Sequence, residues 1–169
     1  SYTTRLHAEA VDAQRLFRRI GSRAAYGAFL ELEDAAIVSA SPELFFRLDG
    51  TLLTSIPMKG TAARGTDAED DERQRNWLLS SAKNRAENLM ITDMVRNDLG
   101  RISATGSVRA ESVFDVQPLP TVWQMPSRIS GPSTARLPEI FRALFPAASI
   151  TGAPTVASMA LVRTPDDPP

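Results

Sequence analysis

A succession of short strand-like segments between residues 24 and 56 constrains the fold most. Residues 24–33 alternate apolar and polar side chains, and residues 35–40 and 44–48 also have strand character. An Asp-Gly pair at 49–50 is a tight-turn signal, so residues 51–56 can pair back as a hairpin. These segments predict an antiparallel meander. In its first strand one face is predicted to be half-buried through Tyr26, Ala28, Leu30 and Leu32.

Helical periodicity accounts for much of the remaining chain. Four segments combine apolar residues at helical spacing with helix boundary signals: residues 8–20, 66–80, 83–99 and 137–145. The clearest is 83–99, whose three-four spacing runs through Ala86, Leu89, Met90, Asp93, Met94 and Asn97. Residues 102–116 and 121–129 are predicted to be strands around a turn at Gly106-Ser107 and a corner at Pro118-Leu119-Pro120. The pattern favours the α+β class, an antiparallel sheet with helices packed on one face.

Five carboxylates open the segment 66–80, and they allow two interpretations. They are Asp67, Glu69, Asp70, Asp71 and Glu72. Such a cluster can hold a metal ion. Carboxylates also collect in the first turn of a helix, because they complement the positive end of its dipole. Nothing in their spacing requires a ligand, so the helix start is the favoured interpretation.

The composition argues against several classes of function. The 169-residue chain has a formal net charge of -1, so it has no basic field for nucleic acid or an anionic membrane surface. It has no cysteine, which excludes disulfides and thiolate metal sites. No apolar run approaches the roughly 20 residues that span a bilayer. We therefore expect one domain with a real core, without nucleic-acid or membrane partners, in the cytoplasm.

Two polar residues are candidates for a reaction centre. Lys59 lies between Pro57-Met58 and Gly60, where a flexible loop is expected, and Glu87 lies inside the helix predicted over residues 83–99. A lysine can act as a nucleophile, and a carboxylate can hold a hard metal ion. Both residues also have an ordinary interpretation. Lys59 can be a solvated turn residue, and Glu87 a surface carboxylate in an (i, i+4) pair with Lys83 that contributes only about 0.3–0.5 kcal/mol.

Five segments occur in an order that points to one family. They are Ser-Pro-Glu-Leu-Phe at 41–45, Pro-Met-Lys-Gly-Thr at 57–61, RAENLMITDMVRNDLGR at 85–101, PTVWQM at 120–125 and FPAASITGAP at 145–154. The series resembles the chorismate-utilising enzymes, the family of the large subunits of anthranilate synthase and aminodeoxychorismate synthase. The resemblance covers nearly the whole chain. It implies that the predicted sheet and helices are part of the larger layered chorismate-binding domain.

The resemblance implies a role for each of three residues. Glu87 matches a glutamate that binds Mg²⁺, and Glu43 matches a general acid or base at the hydroxyl-bearing carbon of chorismate. Lys59 matches the lysine that, in enzymes similar to aminodeoxychorismate synthase, attacks the ring and forms a covalent adduct that ammonia resolves. Alanine commonly fills this position in anthranilate synthases. The implied ammonia source is a glutamine amidotransferase, either a separate subunit or a fused domain.

The resemblance also implies contacts with the substrate. The residues concerned are Gly60 and Thr61, together with Ser149, Ile150, Thr151 and Gly152, which would present backbone N–H groups to a carboxylate. Family members are far longer, so residues 1–169 are interpreted as a partial chorismate-binding catalytic domain, without the N-terminal domain and the C-terminal part. A second metal glutamate is implied to follow Pro169. The chain by itself is therefore expected to be inactive.

Three departures from the family pattern keep other functions open. Asn84 stands where an acidic residue is usual, Thr155 where a lysine is usual, and Trp123 where anthranilate synthases have histidine. The leading hypothesis is that the intact protein converts chorismate and ammonia to 4-amino-4-deoxychorismate, on the route to 4-aminobenzoate and folate. One alternative is anthranilate formation, against which Lys59 and Trp123 argue. The other is a non-catalytic domain, supported only by Asn84 and Thr155.

Overall fold

The computed structural model describes residues 11–21 and 24–147. The chain divides into two compact units, Ser1–Leu44 and Phe45–Pro169. The division falls at the start of the third strand. The candidate residues Lys59 and Glu87 therefore belong to the C-terminal unit, and Glu43 belongs to the N-terminal one.

The N-terminal unit is a helix packed on a two-stranded ribbon. Helix α1 covers Ala13–Gly21, and strands β1 (Tyr26–Glu31) and β2 (Ala36–Ser41) pair antiparallel along their full length. The helix contacts both strands, and the ring centroids of Phe17 and Phe29 are 5.8 Å apart. The predicted pairing of these two strands is confirmed, but the predicted meander is wrong at the step beyond β2, because the next strand along the chain belongs to a different sheet. Residues 8–10 of the predicted helix lie outside the described residues.

The predicted buried face of β1 is largely wrong. Leu30 and Leu32 are more than half exposed, whereas Phe29 on the other face is half-buried. Both faces of the strand carry apolar side chains, so alternation by itself cannot choose between them. Helix α1 makes the choice, because Phe17 packs against Phe29.

The C-terminal unit combines seven strands and three helices within the described residues. The strands are β3 (Leu44–Asp49), β4 (Leu52–Ile56), β5 (Met58–Ala63), β6 (Arg109–Ser112), β7 (Gln117–Pro118), β8 (Val122–Pro126) and β9 (Arg128–Pro132). The helices are α2 (Ala68–Ser80), α3 (Ala82–Gly100) and α4 (Leu137–Leu144). One sheet has the order β3-β4-β9-β6 and the other β5-β8-β7, with antiparallel pairing. The α+β prediction is confirmed.

Two long segments, each interrupted once, contribute a strand to both sheets. Strand β4 continues into β5 across Pro57, and β8 continues into β9 across Ser127. Strand β4 pairs with β9, while β5 pairs with β8 in the other sheet. At the interruption the Ser127 N–H donates to the Pro57 carbonyl oxygen at 3.0 Å. The prediction of a single strand over residues 121–129 is wrong, because that segment contributes to two sheets.

The strand predicted over residues 102–116 is wrong for most of its length. Helix α3 continues to Gly100, turns follow, and only Arg109–Ser112 form a strand. Within the turns Gly106 has a φ of 75°, in the left-handed region that glycine adopts without steric cost. The turn predicted at Gly106-Ser107 is therefore confirmed, whereas the strand predicted before it is not.

The helices pack on the sheets and enclose two apolar clusters. Helix α2 contacts β5 and β8, and α3 contacts β5, β9 and α4. One cluster contains Leu53, Leu99, Ile129, Ile140 and Leu144, and the other Ala62, Leu78, Trp123 and Met125. The predicted extents of these three helices agree with the structure to within two residues at each end.

Helix α3 does not bury the residues whose spacing identified it as a helix. Leu89 and Met90 are 55% and 57% exposed. The buried residues are instead Asn88, Ile91, Thr92 and Leu99. Apolar side chains occur all round this helix, so their spacing shows that it is helical without selecting the face that meets the sheets.

Candidate active site

Lys59 and Gly60 occupy a β-bulge. In the β5–β8 pair Met58 lies opposite Pro126 and Thr61 opposite Gln124, so two residues of β5 face the single residue between these partners. A bulge of this kind locally redirects side chains and is common beside active sites. The loop expected around Lys59 is therefore wrong, because the segment is a strand with an extra residue.

Gly60 makes the bulge possible. Its φ is 99°, which a residue with a side chain rarely adopts. A Cβ atom at this position would lie 3.2 Å from the Met125 Cβ, 3.3 Å from the Asn84 Cβ and 3.3 Å from a Leu78 methyl carbon. Backbone conformation and close packing both require glycine. The packing also places Asn84, in the first turn of α3, directly against the bulge.

Asn88 of helix α3 fixes the bulge to the helix. Its side chain is fully buried, and its Nδ2 donates to the Lys59 carbonyl oxygen at 3.2 Å and to the Met125 carbonyl oxygen at 2.6 Å. The Ser127 hydroxyl donates to its Oδ1 at 2.6 Å. Sequence reasoning missed this role. The available signal was an amide, a poor helix former, directly before the apolar residues Leu89-Met90-Ile91 of the predicted helix.

Lys59 and Glu87 lie on elements that contact each other. Strand β5, which carries Lys59, packs against α3, which carries Glu87. Lys59 is half-buried, and within residues 11–21 and 24–147 its ammonium makes no ion pair. The Glu87 carboxylate is 3.9 Å from the Lys83 ammonium, and its side chain is 43% exposed. The weak (i, i+4) pair expected from the sequence is therefore present.

The carboxylate of Glu87 fits part of a Mg²⁺ site. The described part of the chain contains no group of three or more acidic or imidazole side chains that could hold a metal ion. Magnesium commonly takes one or two protein carboxylates and completes its octahedral shell with water and substrate oxygens. A single, partly exposed carboxylate on the helix that holds the bulge is compatible with that mode of binding.

The other predicted site residues lie in different parts of the chain. Thr61 is exposed, and its Oγ1 accepts a hydrogen bond from Gln124 Nε2 at 2.9 Å. Glu43 lies between β2 and β3, where its N–H donates to Ser41 Oγ at 3.1 Å. It belongs to the N-terminal unit, whereas Lys59 and Glu87 lie on contacting elements of the C-terminal unit. Residues 149–152 lie outside the described residues.

A second polar cluster, missed from the sequence, fixes α2 to the three-stranded sheet. Asp71 accepts hydrogen bonds from Arg64 Nε at 2.8 Å, from the Gly65 N–H at 2.8 Å and from Trp123 Nε1 at 2.9 Å. The guanidinium of Arg64 lies 4.7 Å above the Trp123 ring. Hydrogen bonds from Arg64 and Gly65 hold the pKa of Asp71 well below its ordinary value.

The same cluster explains two features of the sequence. The acidic run begins α2 as the favoured interpretation predicts, because the Asp67 side chain caps the helix by accepting from the Asp70 N–H at 2.8 Å. Asp71 then turns towards the sheet. The indole of Trp123, one of the departures from the family pattern, is almost fully buried and hydrogen-bonded to Asp71.

Comparison with known proteins identifies the family. The profile of the chorismate binding enzyme family matches residues 1–167. This chain therefore belongs to the chorismate-binding enzymes. Over 147 residues it is 46% identical to aminodeoxychorismate synthase component 1 of Escherichia coli, covering 83% of this chain and 32% of that protein. It is 39% identical to the protein of the same name from Bacillus subtilis, covering 82% and 30%.

Solved structures show the same fold. Anthranilate synthase component I from Streptococcus pneumoniae matches with a TM-score of 0.73 at 29% identity, covering 91% of this chain and 34% of that chain. The menaquinone-specific isochorismate synthase from Escherichia coli matches with a TM-score of 0.72 at 19% identity, covering 90% and 35%. The chain spans about a third of the length of these relatives.

None of the helices that the structure describes combines the length and the apolar character needed to span a bilayer.

We predict that Gly60→Ala destabilises the C-terminal unit more than Gly50→Ala. Gly50 also has a positive φ, 58°, but open space surrounds it, so alanine there costs about 1–2 kcal/mol for the left-handed backbone alone. At Gly60 backbone strain and crowding against Met125 add, to roughly 2–4 kcal/mol. Urea unfolding followed by circular dichroism measures the difference. Equal losses of stability would contradict the packing argument.

We predict that Asp71→Asn lowers the urea midpoint at pH 7. The folded-state pKa of Asp71 lies below the ordinary value near 3.9, so its contribution is fully present above about pH 5.5 and is lost as the pH falls towards the folded-state pKa. The gap between wild type and variant should therefore be constant from pH 7 to about 5.5 and shrink below about pH 4. A difference in urea midpoint that widens as the pH falls would contradict the prediction. Asp115→Asn, at an exposed aspartate of the same unit, is the control.

Proposed function

We propose that the whole protein converts chorismate and ammonia to 4-amino-4-deoxychorismate, on the route to 4-aminobenzoate and folate. The observation that carries this proposal is the placement of Lys59 in a β-bulge that α3, the helix bearing Glu87, holds by a side-chain hydrogen bond. The similarity to proteins named aminodeoxychorismate synthase supports it. Because this chain spans about a third of those relatives, the proposal concerns the intact protein, of which residues 1–169 are part of the catalytic domain.

Lys59 and Glu43 divide the chemistry between them in this proposal. The neutral ε-amine of Lys59 forms a C–N bond to the chorismate ring, and the ring hydroxyl leaves as water with a proton supplied by Glu43. Ammonia then forms a bond to the ring and displaces the Lys59 amine. One proton released from nitrogen returns to Glu43. The sum is chorismate plus ammonia giving 4-amino-4-deoxychorismate plus water.

Substrate binding is assigned to three groups of residues. Glu87 would hold Mg²⁺, which supplies positive charge to a carboxylate of chorismate when bound. Gly60 and Thr61, next to the nucleophile, and the backbone N–H groups of residues 149–152 would contact the substrate. The described geometry supports the first two groups, because Gly60 and Thr61 follow Lys59 on the strand that packs against α3.

The ammonia would come from a glutamine amidotransferase, as a subunit or a fused domain. The bacterial relatives are named component 1, and that name implies a further component of those proteins. We also propose a cytoplasmic location. The cysteine-free composition is compatible with a reducing compartment.

One structural observation favours a second candidate function. Anthranilate synthase component I shares the fold at 29% identity, so formation of anthranilate is the alternative. Lys59 and Trp123 distinguish this chain from the residues expected of that branch. A third possibility, binding of chorismate without turnover, gives a different result in the same assay. Identification of the product by mass spectrometry after incubation of the intact protein with chorismate, Mg²⁺ and an ammonium salt separates all three.

We predict that Lys59 forms a covalent adduct with chorismate when ammonia is absent. Acid quenching of the intact wild-type protein, followed by peptide mapping, should show a mass increase on the peptide that contains Lys59. Lys59→Ala should lose the adduct and lower turnover by roughly two orders of magnitude, while chorismate binding is better preserved. Slow direct attack by ammonia can leave residual activity.

Lys83→Ala is the matched control for this prediction. The chain has two lysines, and Lys83 is the other one, with a side chain that is 83% exposed. Its removal should keep the adduct and hold turnover within about fivefold of wild type, since a surface ion pair contributes at most about 1 kcal/mol. An adduct on another residue, or full turnover in Lys59→Ala, would refute the role of Lys59.

We predict that Glu87→Gln weakens the Mg²⁺ dependence of chorismate binding in the intact protein. Glutamine keeps the shape of the side chain and removes the charge that a hard cation requires. Titration of chorismate at several Mg²⁺ concentrations should show that the variant needs at least about tenfold more Mg²⁺. Glu69→Gln, at a highly exposed glutamate on α2, should behave like wild type. An unchanged Mg²⁺ dependence in Glu87→Gln would contradict the assignment of Glu87 as a Mg²⁺ ligand.

A further inference from the structure

The bulge at Lys59 leaves backbone groups that the β-ladder cannot pair. With two residues of β5 opposite one residue of β8, the regular alternation of N–H and carbonyl partners is interrupted. The carbonyl oxygens of Lys59 and Met125 both accept hydrogen bonds from the Asn88 side chain. One amide therefore bonds to both strands at the irregular position.

Asn88 uses its amide nitrogen and its side-chain oxygen for this purpose. Both Nδ2 bonds go to carbonyl oxygens, and Oδ1 accepts from the Ser127 hydroxyl, so the orientation of the amide is determined by its partners. The side chain has no exposed surface. Aspartate cannot donate these bonds, and alanine would leave buried carbonyl oxygens unpaired.

We infer that Asn88 is a positioning residue for Lys59. This inference rests on the proposed function, in which Lys59 is the nucleophile. The direction in which a side chain leaves a bulge follows from the local backbone, and Asn88 restrains that backbone through the carbonyl group of Lys59 itself. Asn88 does not touch the substrate in this role. It acts by limiting the positions that the lysine amine can take.

The same hydrogen bond relates the nucleophile to the proposed metal ligand. Asn88 immediately follows Glu87 in helix α3, and a helix of 19 residues is a rigid support. Any shift of β5 relative to α3 must break or stretch the bonds of Asn88. The amide therefore sets the position of Lys59 relative to the carboxylate of Glu87 as well as the local shape of the bulge.

The test compares Asn88→Ala with Thr92→Val in the intact protein. Thr92 is the matched control, because it lies one turn further on α3, is almost fully buried and donates only to the Asn88 backbone carbonyl oxygen, at 2.8 Å. Asn88→Ala should slow adduct formation at Lys59 by about 10- to 100-fold, the range expected when a reactive group is misplaced by about 1 Å. Chorismate binding in the presence of Mg²⁺ should change far less. Thr92→Val should affect both quantities equally and weakly.

A second readout does not depend on the reaction. A small amine-reactive reagent modifies Lys59 and Lys83, and the exposed Lys83 provides the internal reference. In Asn88→Ala the ratio of Lys59 to Lys83 modification should rise by at least about twofold, because a loosened strand opens more often and exposes a half-buried side chain. In Thr92→Val the ratio should stay at the wild-type value.

Ser127→Ala provides the test if Asn88→Ala does not fold. It removes the hydroxyl that fixes the amide but leaves both bonds from Nδ2, so it should move the adduct rate and the labelling ratio in the same directions by smaller amounts. The inference would be overturned if the Asn88 and Thr92 variants lost adduct rate and chorismate binding in parallel. It would also be overturned if the ratio of Lys59 to Lys83 modification did not change in Asn88→Ala. A wild-type protein without an adduct at Lys59 would contradict the proposed function, and the labelling ratio would then decide the role of Asn88 separately.

Discussion

The hydrogen bonds of Asn88 are the interaction on which the arrangement of the C-terminal unit depends. Two long strands change sheets near Pro57 and Ser127, and a bulge follows on one of them. Each buried polar group left unpaired there would cost about 1–3 kcal/mol. One amide satisfies the carbonyl oxygens of Lys59 and Met125 and accepts from Ser127. The break in the ladder is therefore compatible with a buried position against α3.

The Asp71 cluster supports the same region from the other helix. Its carboxylate joins Arg64, at the end of β5, to Trp123 on β8. The cluster thus holds α2 against the pair of strands that contains the bulge, and Leu78 of that helix packs close to Gly60. Lys59 is consequently placed on a strand that is restrained by two helices. In the proposed function this restraint matters, because small displacements of a reactive side chain lower its rate.

The fold of this chain is shared by several proteins, so individual residues must decide which reaction is catalysed. Proteins described as an anthranilate synthase and as an isochorismate synthase share this architecture with TM-scores above 0.7. A common fold is therefore shared by proteins that are named for different reactions. The choice between amination outcomes in the proposed function rests on Lys59, which the fold presents but does not require. Glu43 and residues 149–152 remain predictions, since their positions relative to Lys59 are not part of the described geometry.

The sequence by itself determined the tight turn, the helices and the family. Turn residues at 49–50, helical periodicity in α2, α3 and α4, and the order of five motifs all depend on neighbours in the chain. Tertiary structure alone decided that Lys59 lies in a bulged strand, that α3 buries Asn88 rather than Leu89, and that Asp71 turns towards Trp123. The physical reason is the distance along the chain between partners. Asn88 bonds to groups 29 to 39 positions away, and no local pattern specifies which of them it will meet.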